Sequence, residues 1–416
     1  MPTSSLASTP ARKGPGSSLL LLGLVVGLCL AAPAAATDAS VATAEPGCDS
    51  GQPCSNHWPP FGQVSIILSA FGDASGGESQ PFLQALTHKI NRSREATYCG
   101  AVWEGTISRQ PVVVVTTGTG SDNSGPCMQE LLYWYGPRIR EVIWAGIGGA
   151  SPAIGGIVEP GSGKLRTNPR PVMIGDVCVG NMAWDYDLHF SAVDDWRRSA
   201  EASGNLNDPQ GGWWDMKDSS GGGVIGFEGV QQYVIAPRGL ADEILSAAAA
   251  VRWDRPSGDA LDNVKRYFSD AQIRETMAFD YTVCGGEVSG NNFFHGAVED
   301  RLSRQYLAGL INSAKVAVVP VTENDVISFS AMESTAWMSV VDRWAKKRRM
   351  RIPMAVVRGA SNYDHQPLLA NGRPAPDSTG HIPTAMEDIL LGFKESGSSF
   401  AAANAAAPVL KMFARR

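Results

Sequence analysis

Polar groups stand where apolar runs break off, the positions at which an α/β chain usually does its chemistry. Asp73 and Glu78 follow the run Val64–Ala70, and either carboxylate can take a proton from water. Glu333 opens an expected helix over 333–347. Its carboxylate either stabilises that helix N-terminus or accepts hydrogen bonds from paired hydroxyls of a ligand. Met332, just before it, packs on such a ligand or into the core. Asn362 follows Val356-Val357-Arg358-Gly359-Ala360-Ser361. Its amide can donate a hydrogen bond but cannot give up a proton, whereas Asp364, two residues on, can. Gly118, Gly120 and Gly146 lie in glycine-rich breaks, where backbone either approaches a ligand closely or makes a tight turn. Phe293, in Asn292-Phe293-Phe294-His295-Gly296, either stacks on a planar group or fills the core.

Hydrophobic patterning gives the elements that must hold these groups. Val64–Ala70 suits a buried strand, and the β-branched run Val112–Val115 has the composition of a central parallel one. Residues 81–90 suit a helix with proline in its first turn. A second helix is expected from Asp122 or Asn123, either a competent cap, to Tyr135. Glu141–Ala145 reads as a strand ending in the turn Gly146-Ile147-Gly148-Gly149, and Val177–Val179 as a strand after Gly175-Asp176. Later, 298–312 suits a helix and 315–321 a strand. After the helix over 333–347, a buried strand at 354–357 ends in a turn over 358–364. This alternation predicts an α/β sheet with its ligand site at the carboxyl ends of the strands. Residues 191–275, rich in Trp, Gly, Asp and Ser, read as an insertion with helical content near 240–251. It forms either a lid or a cover over a sheet edge.

The chain has 416 residues and a formal net charge of −6, and its one basic block, Lys346–Arg351, is too short to make nucleic acid its partner. Arg12 and Lys13, the apolar run 18–30 and Ala34-Ala35-Ala36 have the pattern of a secretory signal. The expected organisation is a signal peptide over 1–36, a linker over 37–62 and one domain over 63–416. The mature protein is then secreted, with no membrane association once the signal is cleaved. Export leaves Cys48, Cys54, Cys99, Cys127, Cys178 and Cys284, an even set that predicts at least one disulfide. Cys48 and Cys54 are near enough for a local bridge; the other pairings stay open. Asn91-Arg92-Ser93 is an acceptor sequon for N-glycosylation.

Four stretches, in this order, carry a resemblance. Val142-Ile143-Trp144-Ala145-Gly146-Ile147-Gly148-Gly149, Ile174-Gly175-Asp176-Val177, Ala331-Met332-Glu333-Ser334-Thr335-Ala336 and Val356-Val357-Arg358-Gly359-Ala360-Ser361-Asn362 resemble signatures of the nucleoside phosphorylase and methylthioadenosine/adenosylhomocysteine nucleosidase superfamily. The extra length and the signal resemble its bark-storage-protein-like and purine nucleoside permease-like branches. The resemblance implies a three-layer α/β/α fold with a mixed, partly barrel-like sheet, and cleavage of the N-ribosidic bond of purine nucleosides without a metal or organic cofactor. It implies Glu333 on the ribose hydroxyls, Met332 against the sugar, Phe293 on the base, and Gly118 and Gly146 where backbone meets ligand. Phosphate is a co-substrate if the protein is a phosphorylase, and a homo-oligomer is left open.

The chain also departs from the pattern. Asn362 stands where the family usually has an acid, which leaves an N7 hydrogen-bond donor and makes Asp364 a substitute acid. The water-activating Glu expected soon after the first strand is not in register; Asp73 is the nearest candidate and Glu78 the second. The arginines and the serine expected around phosphate are absent, Trp144 and Ile147 standing at two of those places. Hydrolysis is therefore preferred to phosphorolysis. The alternative is a nucleoside-binding, storage or uptake-related protein that lost the attacking group.

Overall fold

The computed structural model describes residues 62–72, 77–151, 156–158, 165–167, 172–185, 189–191, 213–215, 233–269, 287–289, 329–365 and 395–416, with short stretches within 300–325 and 369–387. Pro53–Arg416 make one compact unit. Its strands are β1 (Val64–Ser69), β2 (Thr87–Asn91), β3 (Ala101–Ile107), β4 (Gln110–Thr116), β5 (Ile139–Ala150), β6 (Gly156–Val158), β7 (Leu165–Thr167) and β8 (Val177–Gly180). They continue with β9 (Met182–Asp185), β10 (His189–Ser191), β11 (Trp213–Asp215), β12 (Tyr233–Ile235), β13 (Glu287–Ser289), β14 (Phe329–Ala331) and β15 (Met354–Tyr363). The helices are α1 (Gln80–Ala85), α2 (Ser121–Trp134), α3 (Gly239–Ala248), α4 (Gly258–Tyr267), α5 (Ser334–Lys347) and α6 (Glu395–Arg415).

Eleven strands form one mixed sheet in the order β12-β9-β13-β14-β5-β1-β4-β3-β2, with β15 pairing both β5 and β8. The sheet branches at β5. This strand runs parallel to β1 along its first half, parallel to β15 along most of its length, and antiparallel to β14 at its end. Alternate side chains therefore feed two cores. Ile66, Leu68, Val113, Val115, Val142, Trp144 and Val356 face α2 and α5, where Leu131, Trp337 and Val341 meet them. Ile67, Val112, Val114, Ile143, Ala355 and Val357 face α1, α3 and α6, where Phe82, Ile244, Val409 and Phe413 meet them. Helices cover both faces, giving three α/β/α layers. The Trp144 and Trp337 rings stack at 6.3 Å between centroids across the first core.

Several expected boundaries moved. Residues 81–90 are not one helix: α1 stops at Ala85, and Thr87–Asn91 form β2, an edge strand pairing β3. The β-branched Thr87 and Ile90 favour extended backbone, while His88, at φ 53°, produces a register shift between them. α2 begins at Ser121 after Gly120, whose φ of 92° suits glycine, and not at a side-chain cap from Asp122 or Asn123. The glycines after Ala145 are not a turn, because β5 continues through them to Ala150. Likewise 358–363 continue β15, with a bulge between Ala360 and Asn362. Of the stretch expected as an insertion, β12 pairs β9 at the sheet's edge, and α3 places Leu240, Ile244 and Leu245 in the main core. A disulfide joins Cys99, just before β3, to Cys127 in α2, and Cys178 is disulfide-bonded as well. Cys48, Cys54, residues 315–319, Asp73 and Phe293 lie outside the described residues. Among the described residues no helix is long and apolar enough to cross a membrane.

Candidate functional site

The carboxyl ends of the parallel strands β1, β5 and β15, with the antiparallel β14 against the end of β5, surround a cavity of about 120 Å³. Its wall brings together Glu78, Met332, Glu333, Arg358, Ser361 and Asn362, with Ser330, Thr119 and the backbone of Gly148 and Gly149. Residues from opposite ends of the chain meet here because parallel strands place their carboxyl ends on one side of the sheet.

Glu78 arrives by a closed excursion. After β1 the chain leaves at Phe71 and returns at Gly77, where the backbones of Gly72 and Gly77 touch so closely that neither has room for a Cβ. Glu78 N–H then donates to the Phe71 carbonyl at 3.1 Å. Its carboxylate enters the cavity and accepts three backbone hydrogen bonds: Ala70 N–H at 2.5 Å and Phe71 N–H at 3.4 Å on Oε2, and Ile147 N–H at 2.6 Å on Oε1. A carboxylate offers about four lone-pair sites, so one remains for a ligand or water. Burial, and then repulsion from Glu333, push this carboxyl up to about 7, against the opposing pull of Arg358 and the backbone donors. Gly146 makes room for it, since a side chain there would collide with the carboxylate.

Glu333 stands at the N-cap position of α5 without a side-chain cap hydrogen bond and instead reaches across to the start of α2, where Gly120 N–H donates to its Oε1 at 3.1 Å. Its Oε2 accepts from Met332 N–H at 3.2 Å and from Arg358 Nη2 at 2.9 Å. Arg358 also donates to the Ile147 carbonyl at 2.9 Å and to Ser334 Oγ at 3.3 Å. Its guanidinium lies 4.8 Å from the centre of the Trp144 ring. The two helices are further tied by Ser124 Oγ donating to the Glu333 carbonyl at 3.0 Å.

The opposite wall holds Asn362. Its Oδ1 accepts from Ser361 Oγ at 2.8 Å, which leaves the NH₂ end as the donor, with the Tyr363 carbonyl 3.4 Å away. Asp364 lies behind this wall, its Oδ1 accepting from Ser330 Oγ at 2.6 Å. Gly149 is the hinge of this corner: a Cβ on it would overlap Asp364 Oδ1 and Ser330 Oγ and press on Asn362 Nδ2 at 3.2 Å.

Of the residues the sequence proposes, Asn362, Glu333 and Met332 line one cavity, and Gly146 backs it. Gly118, at φ 94°, precedes Thr119 in the wall and donates its N–H to the Ala70 carbonyl at 2.9 Å. The carboxylate that follows β1 into the cavity is that of Glu78. Arg358 and Ser330 carry no signal of their own in the sequence, beyond Arg358's place in the strand-end motif. Among the described residues no group of three or more His, Cys, Asp or Glu side chains could hold a metal ion.

No family model and no curated protein matches the chain. Solved structures do align with it. A 5′-methylthioadenosine/S-adenosylhomocysteine nucleosidase from Neisseria meningitidis, in complex with methylthio-immucillin-A, is 14% identical with a TM-score of 0.44, over 85% of this chain and 100% of that one. The corresponding nucleosidase from Colwellia psychrerythraea, in complex with adenine, is 14% identical with a TM-score of 0.44, over 85% and 95%. The futalosine hydrolase of Helicobacter pylori is 11% identical with a TM-score of 0.43, over 85% and 98%. At these identities no residue's role passes from those proteins to this chain.

Proposed function

We propose that the protein hydrolyses the N-ribosidic bond of a nucleoside, with a purine as the leaving base. The observation that carries this reading is the convergence of Glu78, the Glu333–Arg358 pair and the Asn362 amide on one small cavity. Each group fits one demand of the reaction. Glu333 is held in place by Arg358, Gly120 and Met332 and keeps one acceptor site for a ribose hydroxyl. Asn362 donates to N7 of the base through its amide. Glu78, whose carboxyl ionises through about pH 7 and which carries a free lone pair, takes a proton in its ionised form from the water that attacks C1′.

Hydrolysis fits better than phosphorolysis on electrostatic grounds. Among the described residues of the wall, Arg358 is the one cation, and it is already paired with Glu333. An ionised Glu78 then leaves the cavity with negative charge, which repels phosphate and tolerates water.

The test is to incubate the purified protein with inosine, adenosine and methylthioadenosine, with and without phosphate, and to follow free base. Release without phosphate is expected. Release only with phosphate makes the protein a phosphorylase. Tight nucleoside binding with no release makes it a binding protein and refutes the hydrolase.

A further inference from the structure

We propose that Asp364 acts through Ser330 as a positioning residue and proton source, so that the Ser330 hydroxyl hands a proton to the departing base. The proposal rests on the nucleoside-hydrolase reading of the same cavity. It answers a gap in that reading, because the Asn362 amide can hydrogen-bond a base but has no proton to give.

The geometry sets up a two-step relay. Ser330, on β14, lies in the cavity wall, and its Oγ–H donates to the Asp364 carboxylate at Oδ1 over 2.6 Å. With the proton on Oδ1 the same contact reverses, the acid donating to Ser330 Oγ and freeing the serine proton for the cavity. Asp364, at the end of β15, is buried behind it and does not itself line the cavity. Its Oδ2 is buried with no hydrogen-bond partner among the described residues. Gly149 lets the two side chains meet beside the Asn362 amide.

Burial favours the protonated form of Asp364, against the Ser330 hydrogen bond, which favours the carboxylate. Asp300 and Arg304 are the charged groups that act on it. Arg304 is committed elsewhere, pairing with Asp300 at 3.1 Å and donating to the Glu323 carbonyl at 2.7 Å. Asp300 also lies 3.9 Å from His365 Nε2. Burial first, and then the neighbouring Asp300, hold the Asp364 carboxyl well above the usual carboxylate range.

The step balances. The C1′–N bond breaks and its electron pair stays on the base. The base takes the Ser330 hydroxyl proton, Ser330 takes the proton of Asp364, and Asp364 is left as carboxylate. Water adds to C1′ and gives its proton to Glu78. Exchange with solvent then returns one proton to Asp364 and removes one from Glu78.

The experiment compares the full chain with Asp364→Asn and Ser330→Ala on two ribosides. One is the purine nucleoside the wild type cleaves; the other is 4-nitrophenyl β-D-ribofuranoside, whose leaving group departs as a stable anion and needs no proton. Each substitution should cut kcat/KM on the nucleoside by roughly 10²–10⁴-fold, the usual worth of a positioned acid, and leave the nitrophenyl riboside little changed. The wild-type rate on the nucleoside should also fall on the alkaline side as Asp364 ionises, and Asp364→Asn should lose that limb. Equal losses on both ribosides, or an unchanged alkaline limb, overturn the relay while leaving the hydrolase reading standing. A wild type that cleaves no riboside overturns the hydrolase reading, and the relay falls with it.

Discussion

Arg358 Nη2 lies 2.9 Å from Glu333 Oε2, and both side chains are buried. Two charges taken out of water are tolerable only together, so each residue fixes the other where the cavity needs a rigid acceptor. Removing the cation alone, as Arg358→Met, should cost about 3–5 kcal/mol of stability by leaving an uncompensated buried carboxylate. Urea unfolding at neutral pH measures it, and a loss below 1 kcal/mol would mean that Glu333 is not held by this pair. Glu333→Gln leaves Arg358 as an uncompensated buried cation and should cost stability in the same way, so its bearing on function is read on the folded protein. The variant keeps the acceptor for Gly120 N–H but weakens the grip on a ribose hydroxyl. Nucleoside affinity should fall about tenfold, roughly 1.4 kcal/mol, while a free base binds unchanged. Calorimetry showing equal losses for both would remove Glu333 from the ribose.

Glu78 predicts two opposite responses to pH. As a base it works ionised, so the rate should rise as pH climbs through about 7, where burial has placed its carboxyl. Glu78→Gln should lower kcat by roughly 10²–10⁴-fold and abolish that limb, and a variant that keeps wild-type kcat would dismiss it as the base. Stability moves the other way. Between 4.5 and about 7 the native protein keeps a proton on Glu78 that the unfolded chain has lost. Its stabilising contribution is therefore whole below 4.5 and lost as pH rises to about 7, a change of about 3 kcal/mol. The stability of wild type relative to Glu78→Gln should fall by that amount across the window, a comparison in which other titrating groups cancel.

The Cys99–Cys127 bridge closes 28 residues and ties the start of β3 to α2, the helix whose first turn meets Glu333. Chain-entropy arguments give a loop of this size about 3–4 kcal/mol. The double variant Cys99→Ala/Cys127→Ala should lose that much in denaturant unfolding. Because Gly120, at the start of this helix and about two turns before Cys127, meets Glu333, nucleoside affinity should fall with stability. A variant with wild-type affinity would show that the bridge supports the fold alone.

The sequence carries the apolar strands and much of the cavity. Val64–Ser69 and Val112–Val115 are β-branched or aliphatic on both faces because both faces are covered, so composition alone finds them. Glu333 and Asn362 stand out through the motifs that carry the resemblance, Ala331–Ala336 and Val356–Asn362. Two features are less legible. Gly146–Gly149 look like a turn, but glycine sits in that strand because the Glu78 carboxylate, Asp364 and Ser330 fill the space of its side chains. Glu78 itself stands well past the end of its strand, and what returns it to the cavity is a contact between the Gly72 and Gly77 backbones, which no local periodicity encodes. Ser330 and Arg358 acquire meaning only from partners far along the chain, Asp364 and Glu333.

On the proposed reading Asn362 is the residue that faces the base. Ser361 Oγ holds its Oδ1 at 2.8 Å, so the amide presents its NH₂ end as a donor. Such a donor suits N7 and a 6-oxo group, both acceptors, and offers nothing to a 6-amino group. Asn362→Asp exchanges that donor for a carboxyl beside Asp364, in a site where burial favours the neutral acid. When protonated it donates one hydrogen bond to N7, and its second oxygen accepts from a 6-amino group. Preference should therefore move from inosine towards adenosine, by about tenfold for one hydrogen bond exchanged at roughly 1–1.5 kcal/mol. The shift should shrink as pH rises and the new carboxyl ionises. Competition between the two nucleosides at pH 6 and pH 8 reads both effects. A ratio that stays at the wild-type value at pH 6 would take Asn362 away from the base.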